Sequence, residues 1–383
     1  MELNTIAAFF ESYKEQGLSH RYVTNSHIFP LLKRLEKDLQ VETIGQSVLG
    51  APIYALKIGD GKKRILMWSQ MHGNESTTTK ALFDVLNALL SDNDLLSSIR
   101  SSCSLYIIPI LNPDGAERYT RVNANDIDLN RDAQLLTQPE SKVLRDVFDT
   151  FKPDFCCNLH GQRTIFSAGA FNKPATISFL APAQDAACSV TPNRKMAMEV
   201  IAAMNRVLQQ VIPGQIGVYD DAFNLNCVGD TFQSEQVPTM LFEAGHFQGD
   251  YERENTRKYM FMALLSALLY ISQHDVTGDN HEGYFEIPEN QKLFFDIIIR
   301  NARIKADGDL LDIGIMYQEK LIDNEVRFIP KIEKMEGLSR YYAHKEYDAN
   351  KHVVLSEDHK TLHLGDENVF VMIKNEKIAL KLK

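Results

Sequence analysis

The chain has 383 residues, of which 44% are apolar and 24% are charged, and its formal net charge is −10 at pH 7. These values are ordinary for a globular protein, and the length is sufficient for one large domain plus a small one. The negative charge argues against a nucleic-acid partner. The sequence contains no apolar run of about 18 residues, and charged residues surround Phe9 and Phe10, so we expect neither a membrane span nor a signal peptide.

The chain has five cysteines, an odd number, and their spacing does not indicate a disulfide framework. Cys156 and Cys157 are adjacent in a run that is typical of a buried strand, where neighbouring side chains point to opposite faces. They are therefore poor candidates for a shared metal site. We expect the cysteines to be small buried side chains and the protein to be cytoplasmic.

Apolar periodicity predicts helices that alternate with strands over most of the chain. The predicted helices span residues 3–13, 27–39, 76–90, 140–151, 194–211 and 254–271. The predicted strands are a hairpin over residues 41–58, turned at Leu49-Gly50, and single strands over 64–69, 105–111, 155–159 and 237–243. This alternation predicts an α/β fold with a mixed, mostly parallel sheet and helices on both faces.

The sequence changes in character at about residue 279. Short alternating runs at residues 353–355, 369–373 and 378–380 are separated by clusters of Asp, Asn, Gly and Lys, a pattern typical of strands and turns. We therefore predict two domains. The first is an α/β domain at residues 1–278, and the second is a small β-rich C-terminal domain at residues 279–383.

Three side chains form a candidate metal site. His72 and Glu75 directly follow the strand predicted at residues 64–69, and His160 follows the strand predicted at 155–159. Ligands of an α/β sheet bind at the carboxyl ends of its strands, so we expect these side chains in one crevice. Two imidazoles and one carboxylate are a ligand set of catalytic zinc that leaves the fourth position open for water.

Further polar motifs follow in chain order. They are Asn112-Pro113-Asp114-Gly115, Arg121 and Asp128-Leu129-Asn130-Arg131. With the His-Gly-Asn-Glu form at residues 72–75 and the lone His160, the chain from about residue 41 to about residue 272 resembles the zinc carboxypeptidase family, peptidase family M14. The form at residues 72–75 is most similar to the carboxypeptidase E/N-like branch. The resemblance implies one Zn²⁺ ion bound by His72, Glu75 and His160.

The resemblance also implies roles for other polar residues. Asn130 and Arg131 would bind the terminal carboxylate of a substrate, because a guanidinium offers a planar fork of hydrogen-bond donors. Arg121 would stabilise the oxyanion. Glu243, at the end of an apolar strand, would be the general base. Tyr219 would cap the substrate.

Alternatives to these assignments follow from the residues themselves. Arginines more often form surface ion pairs than bind substrates. Asp221 or Phe223 could take the place assigned to Tyr219. The segment at residues 228–232 resembles the strand of the family's side-chain pocket, where Gly229 supplies no charge for a basic substrate residue.

We expect the guanidinium of Arg131 to be buried, and therefore to need an anion.

Together these features predict a zinc-dependent metallocarboxypeptidase, which hydrolyses the C-terminal peptide bond of a substrate with a free carboxylate through a water held by the zinc. One alternative is an amidase or deglutamylase of the same fold that acts on γ-glutamyl-diaminopimelate or modified-protein bonds. Another is a catalytically inactive module that binds peptide C-termini, against which the presence of Glu243 argues. The sequence does not indicate an oligomeric state.

Overall fold

A computed structural model describes residues 3–382 of the chain, with side chains from residue 8 onward. The described chain divides into two compact units. The first comprises the residues up to 162 together with 175–290, and the second comprises 163–174 and the residues from 291 on. The second unit thus includes a short segment from the middle of the chain that no change in composition marks. The domain boundary between residues 278 and 279 stays a prediction.

Helices and strands alternate through the first unit, whereas strands dominate the second. The α-helices are α1 (Leu3–Tyr13), α2 (Asn25–Leu35), α3 (Thr77–Leu89), α4 (Asp94–Ser102), α5 (Pro113–Arg118), α6 (Pro139–Phe151), α7 (Pro192–Leu208), α8 (Val228–Ser234) and α9 (Glu254–Gln273). The strands are β1 (Gln40–Gln46), β2 (Pro52–Ile58), β3 (Lys63–Ser69), β4 (Cys103–Ile108), β5 (Phe155–Gly161), β6 (Phe166–Ala168), β7 (Ile177–Leu180), β8 (Ile216–Val218), β9 (Thr239–Ala244), β10 (Asn290–Lys292), β11 (Phe294–Ala302), β12 (Leu311–Ile322), β13 (Glu325–Glu336), β14 (Tyr342–Asp348), β15 (Val354–Ser356), β16 (Phe370–Ile373) and β17 (Glu376–Ala379).

The first unit is built on an eight-stranded sheet with the order β1-β2-β4-β3-β5-β9-β7-β8. The four central strands β4, β3, β5 and β9 run parallel, and the β1-β2 hairpin and β7 are antiparallel to their neighbours in the centre. Apolar side chains on one face of this sheet pack against α3, α7 and α9. Those on the other face pack against α6 and α8. The predicted α/β fold with a mixed, mostly parallel sheet and helices on both faces is confirmed.

Every predicted helix is present, and the predicted hairpin and single strands are confirmed with small shifts in their ends. The prediction of a strand at residues 228–232 is wrong, because this segment forms α8. Val228 and Phe232 are buried together at the four-residue spacing of one helix face. The sequence pattern missed α4, in which only Leu96 and Ile99 are buried.

The second unit is β-rich, as predicted. Its main sheet has the order β13-β12-β11-β14, a second sheet has the order β15-β16-β17, and β6 pairs with β10. Alternate residues of β11 and β12, such as Ile297, Ile299 and Ile313, fill its core. None of the helices among residues 3–382 is both long enough and apolar enough to cross a membrane.

A buried ion pair joins α3 to α9. Asp84 and Arg257 are both fully buried, and the guanidinium binds the carboxylate through two hydrogen bonds, of 2.6 and 2.7 Å. Arg257 also donates to the carbonyl oxygens of Leu18, at 2.7 Å, and Glu15, at 2.8 Å. The pair therefore holds the N-terminal segment against the helix that follows His72 and Glu75.

Replacing Asp84 with Asn should lower the free energy of unfolding by about 3–5 kcal/mol, because Arg257 then remains buried without its counter-charge. The exposed pair of Lys33 and Glu36 provides a control, in which Lys33→Ala should change this free energy by about 0–1 kcal/mol. Urea denaturation followed by circular dichroism measures both variants. Equal losses in the two variants would contradict the prediction.

Candidate active site

The candidate ligands and the candidate base lie at the carboxyl ends of neighbouring parallel strands. His72 lies in the turn after β3, His160 lies near the end of β5, and Glu243 lies near the end of β9. His160 and Glu243 are partners in the β5-β9 pairing, so their side chains share one face of the sheet. The sheet therefore brings together residues that are far apart in the sequence, at the edge where α/β proteins bind their ligands.

The motif at residues 112–115 follows β4 and supports the turn after β3. The side chain of Asn112 accepts a hydrogen bond from the N–H of Gly115 at 2.8 Å and donates one to the carbonyl of Met71 at 3.1 Å. Gly73 packs so closely on this helix end that a Cβ would lie 1.9 Å from the carbonyl carbon of Gly115. Glycine is needed at position 73 because two backbones meet there.

His72, Glu75 and His160 direct their donor atoms at one another. His72 Nδ1 lies 2.9 Å from Glu75 Oε1 and 3.1 Å from His160 Nδ1, and His160 Nδ1 lies 3.0 Å from Glu75 Oε2. Ligands at about 2.0–2.1 Å from a tetrahedral zinc ion lie roughly 3.3 Å apart, so this spacing fits three ligands of one ion. Within residues 3–382, these three side chains form a group that could hold a metal ion.

Asp128 orients His72. Its Oδ1 lies 3.1 Å from His72 Nε2, so this nitrogen carries the proton and Nδ1 keeps the lone pair that faces the other ligands. The same oxygen accepts the backbone N–H of Asn130 at 2.9 Å. Sequence reasoning placed Asp128 in a motif and missed this role. The available signal was the motif's carboxylate, since a metal-binding imidazole usually donates its other N–H to such a group.

Carboxylates dominate the charge around the candidate ligands. Burial opposes the ionisation of Glu75, but the two histidines outweigh it and hold the pKa of Glu75 far below its usual range. Burial lowers the pKa of His160, which favours the neutral form that binds metals. Burial, and then the charge of Glu75, raises the pKa of Glu243 well above its ordinary value. A cation bound by the ligand group would counteract this repulsion.

Arg121 lies beside the ligand group. Its Nη1 is 3.2 Å from His72 Nδ1 and 3.5 Å from Glu75 Oε1, and its Nε donates to Asp128 Oδ2 at 3.0 Å. The side chain is 47% exposed, so it has room to turn toward a bound molecule. Its position is suited to a group that develops negative charge next to the ligands.

Asn130 and Arg131 lie in a short 3₁₀ turn, Leu129–Arg131. Asn130 is buried, and its Oδ1 accepts the N–H of Val228 at 3.0 Å, which leaves the amide NH₂ as its donor end. Arg131 donates to the carbonyl of Asn130 at 2.7 Å, and its side chain is exposed. The expectation that its guanidinium is buried is wrong, because the turn projects it to the surface, where water can solvate it.

Tyr219 lies directly after β8, and its hydroxyl donates to Gln162 Oε1 at 2.7 Å. Burial raises the pKa of Tyr219, and the nearby charges of Glu243 and Glu75 raise it further. Gln162 directly follows β5, the strand that carries His160, so the hydroxyl of Tyr219 lies near the candidate ligands. Asp221, the alternative residue, forms an ion pair with Arg194 at 2.5 Å.

Replacing Asp128 with Ala should weaken zinc binding about 10–100-fold, because His72 loses the partner that fixes its tautomer and ring orientation. Competition with a chromogenic chelator measures the zinc dissociation constant. Asp146→Ala is the control, because Asp146 lies on the exposed side of α6 in the same unit. An unchanged dissociation constant in the Asp128 variant would refute the role given to this carboxylate.

Residues 30–135 match the family model described as zinc carboxypeptidase. Carboxypeptidase SOL1 of Arabidopsis thaliana is 29% identical over 167 residues, which cover 38% of this chain and 34% of that protein. Gamma-D-glutamyl-L-diamino acid endopeptidase 1 of Lysinibacillus sphaericus is 36% identical over 85 residues, which cover 20% of this chain and 22% of that protein. The chain thus spans about a third of the length of the first relative and about a fifth of the second.

The fold is also found in solved structures. A putative carboxypeptidase A from Shewanella denitrificans superposes with a TM-score of 0.54 at 19% sequence identity, covering 64% of this chain and 68% of that one. At this identity the likeness concerns the fold alone. The family model, the relatives and the fold agree with the resemblance carried by the motifs, which is to the zinc carboxypeptidase family.

Proposed function

We propose that this protein is a zinc metallocarboxypeptidase that removes the C-terminal residue of a peptide. The observation that supports this most strongly is the group of His72, Glu75 and His160, whose donor atoms lie 2.9–3.1 Å apart. Glu243 is the strand partner of His160 in the neighbouring strand. A candidate base next to a candidate ligand set is the combination that metal-assisted hydrolysis requires, and it supports the proposal.

One zinc ion bound by this group would supply an activated water and a polarised substrate carbonyl. Glu243 would take the proton from the attacking water and transfer it to the leaving amine. Its Oε2 has no hydrogen-bond partner among the described residues, which leaves it available for that proton. Arg121 would leave Asp128 and donate to the oxyanion.

The terminal carboxylate of the substrate would bind Asn130 and Arg131. Arg131 is exposed and can receive an anion from solvent, while Asn130 offers its amide NH₂. Tyr219, whose hydroxyl binds Gln162, would close over the substrate. Gly229 in α8 provides no charge, so we do not assign a preference for basic terminal residues.

A γ-glutamyl amidase activity is the second candidate. It is supported by the 36% identity to the gamma-D-glutamyl-L-diamino acid endopeptidase over 85 residues. The same ligand group and base would serve both reactions, because they differ only in the acyl group beside the scissile amide. A γ-D-glutamyl-diaminopimelate peptide, assayed alongside an ordinary peptide, separates the two candidates.

We also propose that the protein belongs to the carboxypeptidase E/N-like branch. The His-Gly-Asn-Glu form at residues 72–75 and the β-rich second unit support this placement. A cytoplasmic location is supported by the five cysteines, all of which are free thiols.

Replacing Glu243 with Gln should lower the turnover of a peptide substrate by about 10² to 10⁴, because the amide keeps the size of the side chain but cannot accept the proton. The zinc content, measured by atomic emission, should not change. Glu36→Gln, at an exposed position of α2's C-terminal cap, serves as the control. Unchanged turnover would reject the base, and loss of zinc would make Glu243 a ligand instead.

The unmodified enzyme should cleave a free-acid peptide in preference to its C-terminally amidated form, because the amide cannot form the charge-assisted pair with Arg131. Arg131→Ala should remove most of this preference in kcat/KM, measured by mass spectrometry of the products. Arg118→Ala, which removes a partly exposed arginine paired with Asp126, should retain it. Equal cleavage of both peptides by the unmodified protein would rule out a carboxypeptidase.

A further inference from the structure

Gln70 has an unusual backbone conformation between β3 and the candidate ligands. Its φ is +43°, in the left-handed region that favours glycine, and its side chain is fully buried. A residue with a side chain adopts this conformation only when surrounding contacts hold it there. It lies two residues before His72, so its conformation sets the direction in which the chain enters the ligand turn.

The side-chain amide of Gln70 uses both ends to hold this conformation. Its Nε2 donates to the carbonyl of Gly73 at 2.8 Å and to the carbonyl of Val23 at 3.0 Å. Its Oε1 accepts the hydroxyl of Thr79 at 2.7 Å. The bond to Gly73 spans the ligand turn, the bond to Thr79 reaches α3, and the bond to Val23 reaches the N-terminal segment.

Two further side chains also bind the N-terminal segment at residues 20–23. Ser76 Oγ donates to the carbonyl of Arg21 at 2.5 Å, and Lys80 Nζ donates to the carbonyl of His20 at 2.6 Å. Both donors are buried residues at the start of α3. Three backbone carbonyls of residues 20–23 therefore accept hydrogen bonds from side chains that lie shortly before or after His72 and Glu75 in the sequence.

We propose that Gln70 is a positioning residue, which clamps the ligand turn to residues 20–23 and holds His72 and Glu75 in the geometry that a metal ion requires. The inference rests on the proposed function in taking these two residues as ligands. Glycine at position 70 would adopt the same φ without strain but could not make these bonds. The presence of Gln in a conformation that it disfavours supports a role for its amide.

The test compares Gln70→Gly with Gln70→Ala. Gly keeps the backbone conformation accessible and removes only the amide, whereas Ala removes the amide and retains the backbone strain. We expect both variants to bind Zn²⁺ and Co²⁺ about 10–100-fold more weakly than the unmodified protein, as for the loss of other residues that support a ligand. Competition with a chromogenic chelator gives the dissociation constants.

Hydrogen exchange of the metal-free proteins supplies a second readout, in which the amides of residues 70–76 should exchange faster in Gln70→Gly. Asn87→Ala is the matched control. Asn87 also donates to a backbone carbonyl near the N-terminus, that of Tyr13, but it lies at the far end of α3. Its loss should leave the metal affinity and the exchange of residues 70–76 unchanged.

The outcomes separate the inference from the proposed function. If Gln70→Gly has the same metal affinity and the same hydrogen exchange as the unmodified protein, the positioning role is overturned. The backbone conformation alone would then be enough to position the ligands. Weaker binding in Asn87→Ala equal to that in Gln70→Gly would also overturn it, since the effect would be general destabilisation. Failure of the unmodified protein to bind either metal would instead refute the proposed metal site, and the positioning role with it.

Discussion

The closeness of several carboxylates in a poorly solvated crevice is the constraint on which the rest of the first unit depends. Glu75, Asp128 and Glu243 lie around two imidazoles, and like charges in such surroundings repel each other more strongly than in water. Arg121 contacts two of these carboxylates, but it is partly exposed. A divalent cation bound by the imidazoles and Glu75 would attract the carboxylates and so offset their mutual repulsion. Until the cation binds, the fold must hold these groups together.

Side-chain hydrogen bonds and close backbone packing around the ligand turn meet that requirement. Asp114, which belongs to a motif that looks like a functional one, binds the hydroxyl of Ser47 at 2.7 Å and the N–H of Leu49 at 3.0 Å. It therefore ties the β1-β2 hairpin to α5 instead of touching the ligand group. Asn112 and Gly73 dock the same helix onto the ligand turn. Preformed geometry of this kind reduces the reorganisation that binding and catalysis would otherwise demand.

Asn130 shows how one side chain can serve both the scaffold and the proposed chemistry. Its carbonyl oxygen accepts the first N–H of α8, and its NH₂ remains as a donor toward the proposed substrate carboxylate. The placement of α8, which would form part of the substrate pocket, thus depends on a residue that would also recognise the chain end. In the proposed function, specificity for terminal residues and the order of α8 would be coupled through this one amide.

The sequence by itself determined the α/β class, the order of most helices and strands, and the candidate ligands His72, Glu75 and His160. The class and the order of the elements follow from apolar periodicity, which is a local property. The candidate ligands follow from their positions after predicted strands and from motifs that resemble those of the zinc carboxypeptidase family. Only the tertiary structure decided that residues 228–232 form a helix, that Arg131 is exposed and that Asp128 orients His72. Each of these depends on partners distant in the sequence or on the path of the turn, such as the contact of Asn130 with Val228. The conformation of Gln70 belongs to the same class, because the carbonyl of Val23 that helps to hold it lies 47 residues away in the chain.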